Sequence, residues 1–380
     1  MLTRIGFHTF AMMFMLTFDE AEDLLGDFLR YCNRSDNLKI YPDCRFRTID
    51  INKSPVPTIW NTKYLRNDLG VMWILRFLTP VPSHRNCMIE ARINPQILFG
   101  NDDYVAISGE SDLPAIEKAY NIFAAKISSN MPSFAKHTLN HVDYCGNFDL
   151  VEMGYDCSVK QMLKLMKQAF IPFHYKVDET YDPISKRMMP YRNGLYAKSR
   201  SATINNYGKQ AQLYEKFAHR TNDILRAENL IRYEIQCYSS KIRKFKEEII
   251  RSMNPWEKCD YAVTKRLLSD EIAKAVLSNY FRRTIIHGDY YTLEKAKDKV
   301  EFLGYRQQRR DRLFLALDLV DEHGGIEAVK KYFQTHGGQF ELFIESAKEL
   351  ADLGISPVTT PRRVGCMPNL MNGYNLMFGD

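Results

Sequence analysis

The runs NGLYAKSRS (193–201), ATINNYGKQ (202–210) and NLIRYEIQ (229–236) place a tyrosine, a lysine and a glutamate on three consecutive strand-like segments. Turn residues bound the runs, and β-branched and aromatic residues recur inside them with a period of about two. In the third run Arg232 and Glu234 then share one face, while Ile231, Tyr233 and Ile235 share the other. The runs therefore predict a sheet with one apolar and one charged face. An ordinary sheet, with Arg232 and Glu234 as an exposed pair of little energetic weight, is the alternative.

The order of these runs resembles the replication-initiator and relaxase family, which starts rolling-circle replication of plasmids, phages and integrative elements. In that family a Tyr-x-Gly-Ser-Arg-x-Ser stretch precedes a strand ending in Tyr-x-Lys, and an Arg-x-Glu strand follows. The matching stretches here are YAKSRS (196–201), YGK (207–209) and RYE (232–234). Each motif is short, so the resemblance rests on their order, over roughly residues 88–237.

A further stretch, NHVDYCGNFDL (140–150), resembles the family's Arg-Ile-Asp strand with its second acidic residue. Asp143 and Asp149 are an even number of residues apart, so an unbroken strand would put them on one face. Gly146 and Asn147 could instead turn the chain into a hairpin, and the two carboxylates would then not be neighbours. Asp143 is the better candidate for the family's acidic residue.

The resemblance also implies a metal site made of carboxylates. The chain departs from the family pattern at Lys198, where the family has glycine, and at His141, where it has a basic residue before the aspartate. It contains no His-hydrophobe-His motif, so the ligand set of the histidine-type nicking enzymes is absent. Oxygen ligands suit Mg²⁺ or Mn²⁺ better than zinc. The expected ligands are Asp143, Glu234 and Asp149.

The chemistry that the resemblance implies is attack of a tyrosine on a DNA phosphate, leaving a 5′-phosphotyrosine and a free 3′ hydroxyl. A phenol has a pKa of about 10, so it needs a nearby cation, a base or a metal to react near neutral pH. Lys209 and Arg200 are expected to neutralise phosphate charge, or Lys209 to stabilise the phenolate.

Four tyrosines are candidates for the nucleophile: Tyr191, Tyr196, Tyr207 and Tyr233. A tyrosine in a strand is more often a packing residue. Tyr233 falls on the apolar face and is predicted to lie in the core, and Tyr207 falls on the family's Tyr-x-Lys position and is predicted to be structural. Tyr196 is therefore the predicted nucleophile, with Lys209 as the second catalytic residue.

Composition permits this function without establishing it. The chain has 380 residues, 45% of them hydrophobic, and a net charge of +6 with a pI near 8.7. Its eight cysteines form no Cys-x-x-Cys pair, which favours free thiols in a reducing cytosol. The apolar run at 10–18 is too short to span a bilayer and is predicted to be a buried strand before a helix at 20–32. A cytoplasmic protein without membrane contact is expected.

The pattern of elements predicts an α+β fold with an antiparallel sheet backed by helices, followed by a helical C-terminal domain. Residues 1–85 form an α+β extension that ends near TPVPS (79–83). Residues 86–240 form the catalytic domain, which reads strand, strand, helix, strand, strand, helix and three strands. Residues 241–361 are helical, either as a winged-helix-like DNA-binding module or as a plain bundle. Residues 362–380 are predicted to be an extended tail.

Basic clusters follow the predicted nuclease region, in KIRKFK (241–246) and RQQRRDR (306–312). Such a cluster is more often a solvated helix face than a DNA contact, but beside a nuclease it becomes a candidate for binding phosphates. The predicted DNA-binding residues are Arg200, Arg232, Lys241, Arg243, Lys244, Arg309 and Arg310.

The sequence thus predicts a replication initiation protein that nicks and rejoins one DNA strand at an origin. A conjugative relaxase would use the same chemistry, and a non-catalytic DNA-binding regulator would keep the fold without it. The expected partner is origin DNA, single-stranded or cruciform, and a homodimer is an option. The chain has no Gly-x-x-x-x-Gly-Lys-Ser/Thr loop, so a host helicase is expected to unwind the DNA.

Overall fold

The computed structural model describes residues 4–34, 41–42, 46–47, 56–57, 59–61, 69–77, 87–101, 103–168, 170–172, 174–177, 179–182, 187–190, 194–360 and 369–378. The strands are β1 (Ile5–Leu16), β2 (Tyr41–Pro42), β3 (Phe46–Arg47), β4 (Val56–Pro57), β5 (Ile59–Asn61), β6 (Val71–Phe77), β7 (Cys87–Ile93), β8 (Thr138–Asp149), β9 (Lys176–Val177), β10 (Glu179–Asp182), β11 (Arg187–Pro190), β12 (Gly194–Lys198), β13 (Ala202–Gly208), β14 (Leu230–Cys237), β15 (Tyr290–Tyr291) and β16 (Asn369–Leu370).

The helices are α1 (Phe18–Arg34), α2 (Pro95–Leu98), α3 (Leu113–Ile127), α4 (Val159–Met166), α5 (Lys209–Lys216), α6 (Thr221–Arg226), α7 (Ser239–Ser252), α8 (Asp260–Leu267), α9 (Asp270–Thr284), α10 (Leu293–Phe302), α11 (Gln307–His323), α12 (Ile326–His336), α13 (Phe340–Asp352) and α14 (Gly373–Phe378). The predicted α+β class is confirmed, with antiparallel strand pairs and a run of helices toward the C-terminus. None of the helices in the described ranges is both long enough and apolar enough to cross a membrane.

Contacts within the chain divide it into two compact units. The amino-terminal unit comprises Gly6–Tyr144 and Gln236–Ala273, and the carboxyl-terminal unit comprises Met1–Ile5, Cys145–Ile235 and Lys274–Asp380. Strands β8 and β14 and helix α9 each contribute residues to both units. Each unit joins segments that are far apart in the sequence, and the divisions at 85, 240 and 361 stay predictions.

The amino-terminal unit is built on the strand order β2-β5-β6-β7-β1-β8. Neighbouring strands β6, β7 and β1 are antiparallel, with Phe10 opposite Ile93. Helix α1 packs on β6 and β7 and also contacts α3, and Trp73 on β6, Tyr120 on α3 and Phe134 are buried. The apolar run at 10–18 is therefore a core strand that continues into α1, as the sequence predicted.

The carboxyl-terminal unit contains the strand order β8-β14-β13-β12-β9 and the helices α10 to α13. Helix α4 packs against β12 and β13 on one face of this sheet. Helices α10 and α11 pack together, and α11 also contacts α12 and α13. The short strands β15 and β16 pair beside them. Whether this helical region acts as a winged-helix-like module stays a prediction.

Several predicted boundaries differ from the structure. Strand β13 ends at Gly208, so Lys209 begins α5 instead of ending a strand. The segment between β13 and β14 contains α5 and α6. Helices α8 and α9 follow each other closely but are separate, because the hydroxyl of Ser269 accepts a hydrogen bond from the N–H of Ile272 (3.3 Å) and starts a new helix.

Strand β8 runs without a break from Thr138 to Asp149, so the hairpin alternative is wrong. Gly146 lies within the strand, where a Cβ atom would be 2.2 Å from Cε of Met377, the mobile end of a flexible side chain. Asn147 continues the strand, and its N–H donates to the carbonyl of Arg4 (3.1 Å).

The described part of the predicted tail is ordered. Helix α14 places Tyr374 and Phe378 in the core, where the ring centres of Phe378 and Phe281 are 5.8 Å apart. The side chain of Asn372 donates to the carbonyls of Ile286 (2.8 Å) and Gly288 (3.0 Å) and so anchors the segment. Composition alone suggested an extended tail, because it does not report these long-range contacts.

Candidate active site

Strands β12 and β13 carry the predicted nucleophile. Tyr196 lies opposite Asn205 in the antiparallel register, and Tyr207 follows two residues later on the same face of β13. Leu195 and Ala197 are buried on the other face, against which α4 packs. Tyr196 is only half-buried. It therefore combines a fixed position in the sheet with access from solvent.

Tyr207 connects this face to the next strand. Its hydroxyl oxygen lies 3.4 Å from Oε2 of Glu234 on β14, a long hydrogen bond between two buried side chains. The Nζ atom of Lys209 lies 6.0 Å from the centre of the Tyr207 ring. Lys209 and Glu234 therefore both lie near Tyr207, a residue that the sequence predicted to be structural.

Lys209 is an unusual lysine because its side chain is 2% exposed. Burial holds the pKa of Lys209 well below its ordinary value of 10.5, and the guanidinium of Arg232 lowers the pKa further. The carboxylate of Glu234 opposes this shift. The Nζ atom donates to Oε1 of Gln212 at 2.9 Å. Lys209 is therefore poised to exchange a proton more readily than a surface lysine.

Arg232 is completely buried, and its Nε donates to Oδ1 of Asn147 at 2.9 Å. This position overturns the interpretation of Arg232 and Glu234 as an exposed surface pair. It is also contrary to the prediction that Arg232 contacts DNA, because a side chain without exposed surface cannot reach a phosphate. Arg232 instead contributes positive charge beneath the polar face.

The other tyrosines are less suited to attack. Tyr233 is buried against Phe281, with ring centres 5.4 Å apart, and burial raises the pKa of its phenol. The prediction that Tyr233 belongs to the core is confirmed. Tyr191 lies outside the described residues. Among the four candidate tyrosines, those that the structure describes are Tyr196, Tyr207 and Tyr233, and of these Tyr196 is the accessible one.

The predicted metal ligands are not brought together. Oδ1 of Asp149 accepts hydrogen bonds from the N–H groups of Val151 and Glu152, both at 3.0 Å, and so caps the turn after β8. In the described ranges no group of three or more His, Cys, Asp and Glu side chains is placed to share a metal ion. The arrangement does not fit the expected carboxylate site, so dependence on Mg²⁺ or Mn²⁺ stays a prediction.

Asp143 belongs to the amino-terminal unit, where its carboxylate is buried. The hydroxyl of Thr9 donates to Oδ2, and Nε2 of His141 lies 2.7 Å from Oδ1. The His141 ring stacks on Tyr238, with ring centres 5.4 Å apart and an interplanar angle of 27°. Sequence reasoning placed Asp143 and His141 on one strand but could not find Thr9, which is 134 residues away.

The predicted DNA-binding residues fall into two groups. Arg200 lies exposed at the bend between β12 and β13, and Arg243 and Lys244 are exposed on α7. Lys241 is half-buried, with Nζ 5.0 Å from the centre of the Phe245 ring. The first group is therefore open to a polyanion.

The second group is engaged within the helical region. Arg309 forms an ion pair with Glu349, and its guanidinium lies 3.7 Å from the centre of the Tyr305 ring. Arg310 lies 3.7 Å from a carboxylate oxygen of Glu301. These ion pairs join neighbouring helices, so a phosphate would have to compete with Glu349 and Glu301 for the two arginines.

Comparisons with known proteins give little further information. No family model matches the chain, and no curated protein matches it. A solved structure of a rolling circle replication initiator protein from Geobacillus stearothermophilus is similar over 74% of this chain and 85% of its own, with 8% sequence identity and a TM-score of 0.32. At that identity and TM-score, the likeness does not establish a shared fold or activity.

Proposed function

We propose that the protein nicks and rejoins one strand of DNA at a replication origin, through a transient bond between Tyr196 and the 5′ phosphate at the nick. The observation that carries the proposal is the polar sheet face on which a half-buried Tyr196 lies beside Tyr207, whose hydroxyl meets Glu234. An inert sheet face would not need a buried lysine and a buried carboxylate next to an accessible phenol.

The bonds of the reaction balance without an external energy source. The Tyr196 phenol oxygen forms a bond to phosphorus, the bond from phosphorus to the 3′ oxygen breaks, and that oxygen takes up a proton. Rejoining is the reverse attack by the 3′ hydroxyl. The phosphotyrosine bond keeps the energy of the broken bond, so no ATP is required.

The phenol proton needs an acceptor, and we assign this task to Glu234 acting through Tyr207. Tyr196 and Tyr207 are diagonal neighbours across the strand pair, a spacing that aromatic side chains span. The Tyr207 hydroxyl can then accept the proton of Tyr196 while passing its own to Glu234. Arg232 places positive charge beside this path, and Lys209, whose pKa is lowered by burial, can hold a proton or release it.

The scissile phosphate needs a cation, and Arg200 is the nearby candidate. It lies four residues after Tyr196, in the exposed bend that ends β12. The reaction as proposed routes no step through a metal ion. Dependence on Mg²⁺ or Mn²⁺ is kept as a proposal, as are a host helicase partner, a homodimer and a cytoplasmic location.

The test uses labelled single-stranded DNA carrying origin candidates from the gene's own surroundings. The wild type, Tyr196→Phe and Tyr207→Phe are incubated with Mg²⁺, with Mn²⁺ or with EDTA, and the products are separated on denaturing gels. We expect cleavage and a covalent adduct from the wild type, a slow adduct from Tyr207→Phe and none from Tyr196→Phe.

The wild-type result decides between the proposal and its main rival. DNA retained without adduct or cleavage, across all sequences and metal conditions, would make the protein a non-catalytic DNA-binding regulator. An adduct on transfer-origin DNA in place of replication-origin DNA would make it a conjugative relaxase with the same chemistry.

A further inference from the structure

A polar cleft of about 380 Å³ lies within the amino-terminal unit, between β1, β7, β8 and the start of α7. Its volume is in the range of sites that bind small molecules and single nucleotides. Its walls include two buried carboxylates, Glu90 (4% exposed) and Asp143 (8% exposed). Buried charge of this kind is costly unless it is paired or has a ligand to meet.

The floor of the cleft presents oxygen acceptors. Asp143 accepts from the Thr9 hydroxyl at Oδ2 and faces Nε2 of His141 at Oδ1. A carboxylate has about four lone-pair positions, so each oxygen of Asp143 can take one further hydrogen bond. The ligand group that suits Asp143 is therefore a pair of parallel N–H donors.

One wall of the cleft is a flat aromatic surface. The rings of His141 and Tyr238 are nearly parallel, at 27°, with centres 5.4 Å apart. The Tyr238 hydroxyl donates to Oε1 of Gln236 (3.4 Å), which helps to fix the orientation of the ring. A planar heterocycle can extend this stack, as bases do on aromatic platforms.

The rim of the cleft carries an oriented cation. The Nε atom of Arg92 donates a hydrogen bond to Oε1 of Glu90, and Nη2 of Arg76 lies 3.4 Å from Oε2 of Glu90. The Arg92 side chain is 45% exposed, so its terminal nitrogens are accessible to an anion such as phosphate. Acceptors, a stacking surface and a cation are the three elements that recognise a nucleotide.

We infer that this cleft binds one nucleotide whose base carries an amino group on its pairing edge, with guanine the best fit. The base lies against the wall formed by His141 and Tyr238, its N–H groups donate to Asp143, and its phosphate meets Arg92. Thymine is rejected because two carbonyl oxygens flank its single N–H donor and would face the carboxylate. The inference rests on the proposed function for the source of the nucleotide, which is an unstacked position in the DNA strand.

The test measures nucleotide binding to the full chain by calorimetry, in EDTA so that no metal takes part. The probes are dGMP, dAMP, dCMP and dTMP, together with deoxyguanosine. We expect dGMP to bind most tightly and dTMP at least about tenfold more weakly, as expected for donor–acceptor recognition. Equal affinity for dGMP and dTMP, or no binding of dGMP at millimolar concentration, would overturn the inference.

Two variants locate the site. Tyr238→Ala should weaken dGMP binding roughly tenfold through lost stacking, and the matched control Tyr214→Ala, on an exposed tyrosine of α5, should leave it unchanged. Arg92→Gln should remove the advantage of dGMP over deoxyguanosine, and it keeps the test decisive should Tyr238→Ala fail to fold. Equal losses in Tyr238→Ala and Tyr214→Ala, or an unaltered advantage in Arg92→Gln, would contradict the assignment.

Binding of oligonucleotides shows whether the cleft takes a nucleotide within a DNA strand or only a free nucleotide. A thymidine oligomer with one central guanine should bind more tightly than the same oligomer with an abasic position, and the difference should vanish in Tyr238→Ala. A free-nucleotide site would show no such difference, which would overturn the DNA assignment. Absence of a Tyr196 adduct would count against the proposed function alone, since nucleotide discrimination is measured without cleavage.

Discussion

The hydroxyl oxygen of Tyr207 lies 3.4 Å from Oε2 of Glu234, and the two side chains join β13 to β14 on the polar face that carries Tyr196. A buried phenol next to a buried carboxylate is a path for a proton. If Tyr207 and Glu234 act as one relay, their contributions to the reaction must be coupled.

Tyr207→Phe and Glu234→Gln should each slow adduct formation on Tyr196 by roughly 10²-fold, a common magnitude for lost general acid–base assistance. The double variant should be no slower than either single one, because both changes interrupt the same path. Rates come from quenched time courses of adduct formation, and Tyr214→Phe is the matched control. Multiplying effects in the double variant would show that the two residues act separately.

Lys209 should make the stability of the protein depend on pH. Its pKa in the folded protein is below the ordinary 10.5, so between those two values the unfolded chain binds a proton that the folded chain does not. The free energy of unfolding therefore rises with pH in that window, by at most about 1.4 kcal/mol per pH unit.

Lys209→Met removes this contribution. Relative to the variant, the wild type should become more stable between pH 7 and pH 10, as measured by urea unfolding. Lys164→Met, at an exposed position of α4, is the control and should parallel the wild type. Parallel curves for the wild type and Lys209→Met would show that the buried amine carries no such shift.

His137 should make the stability of the protein depend on pH in the acid range. Its ring is buried, with Nδ1 2.9 Å from the carbonyl of Ser133 and Nε2 3.3 Å from the Tyr120 hydroxyl. Burial lowers the pKa of His137 from 6.5 to about 4. Below pH 6.5 the unfolded chain takes up the proton first, so stability falls as the pH falls toward 4, by about 3 kcal/mol in total.

The measurement is urea unfolding between pH 7 and pH 4.5. His137→Gln should lose less stability over this interval than the wild type, although it starts from a lower value. His336→Gln, at an exposed histidine, should behave as the wild type does. An equal acid loss in His137→Gln and the wild type would assign the acid sensitivity to other groups.

The exposed basic residues of α7 should contribute to DNA binding through phosphate contacts. Arg243→Ala and Lys244→Ala should each weaken binding of single-stranded DNA and lower the slope of log affinity against log salt by about 0.7. Arg309→Ala is the comparison, because that guanidinium is paired with Glu349. Fluorescence anisotropy across a salt series gives the slopes, and a loss confined to Arg309→Ala would reverse the assignment.

Much of the fold is visible in the sequence because it depends on local patterns. The apolar run at 10–18 predicts β1, and the segment after it predicts α1. The hairpin suggested at Gly146 was wrong, because Gly146 lies inside the continuous strand β8, close to Met377, which is more than two hundred residues away. A short motif cannot show whether glycine makes a turn or admits a neighbour.

The sequence predicted the candidate site only in part, because local patterns do not report burial or long-range contacts. Strand parity placed Glu234 and Arg232 on one face, but parity does not report burial, and Arg232 proved inaccessible to DNA. The motif order supplied Tyr196 and Lys209. The contacts of Asp143 with Thr9 and of Asp149 with its own turn decide what those carboxylates do, and neither is encoded in the spacing between them.

The most direct test of Tyr196 as the nucleophile is to trap the covalent complex with DNA and to map the modified residue. The protein is reacted with an origin oligonucleotide, digested with protease and nuclease, and the modified peptide is sequenced by mass spectrometry. We predict a nucleotide attached through its 5′ phosphate to Tyr196, and no adduct in Tyr196→Phe. An adduct on Tyr207, or a cleaved strand with no protein attached, would contradict it.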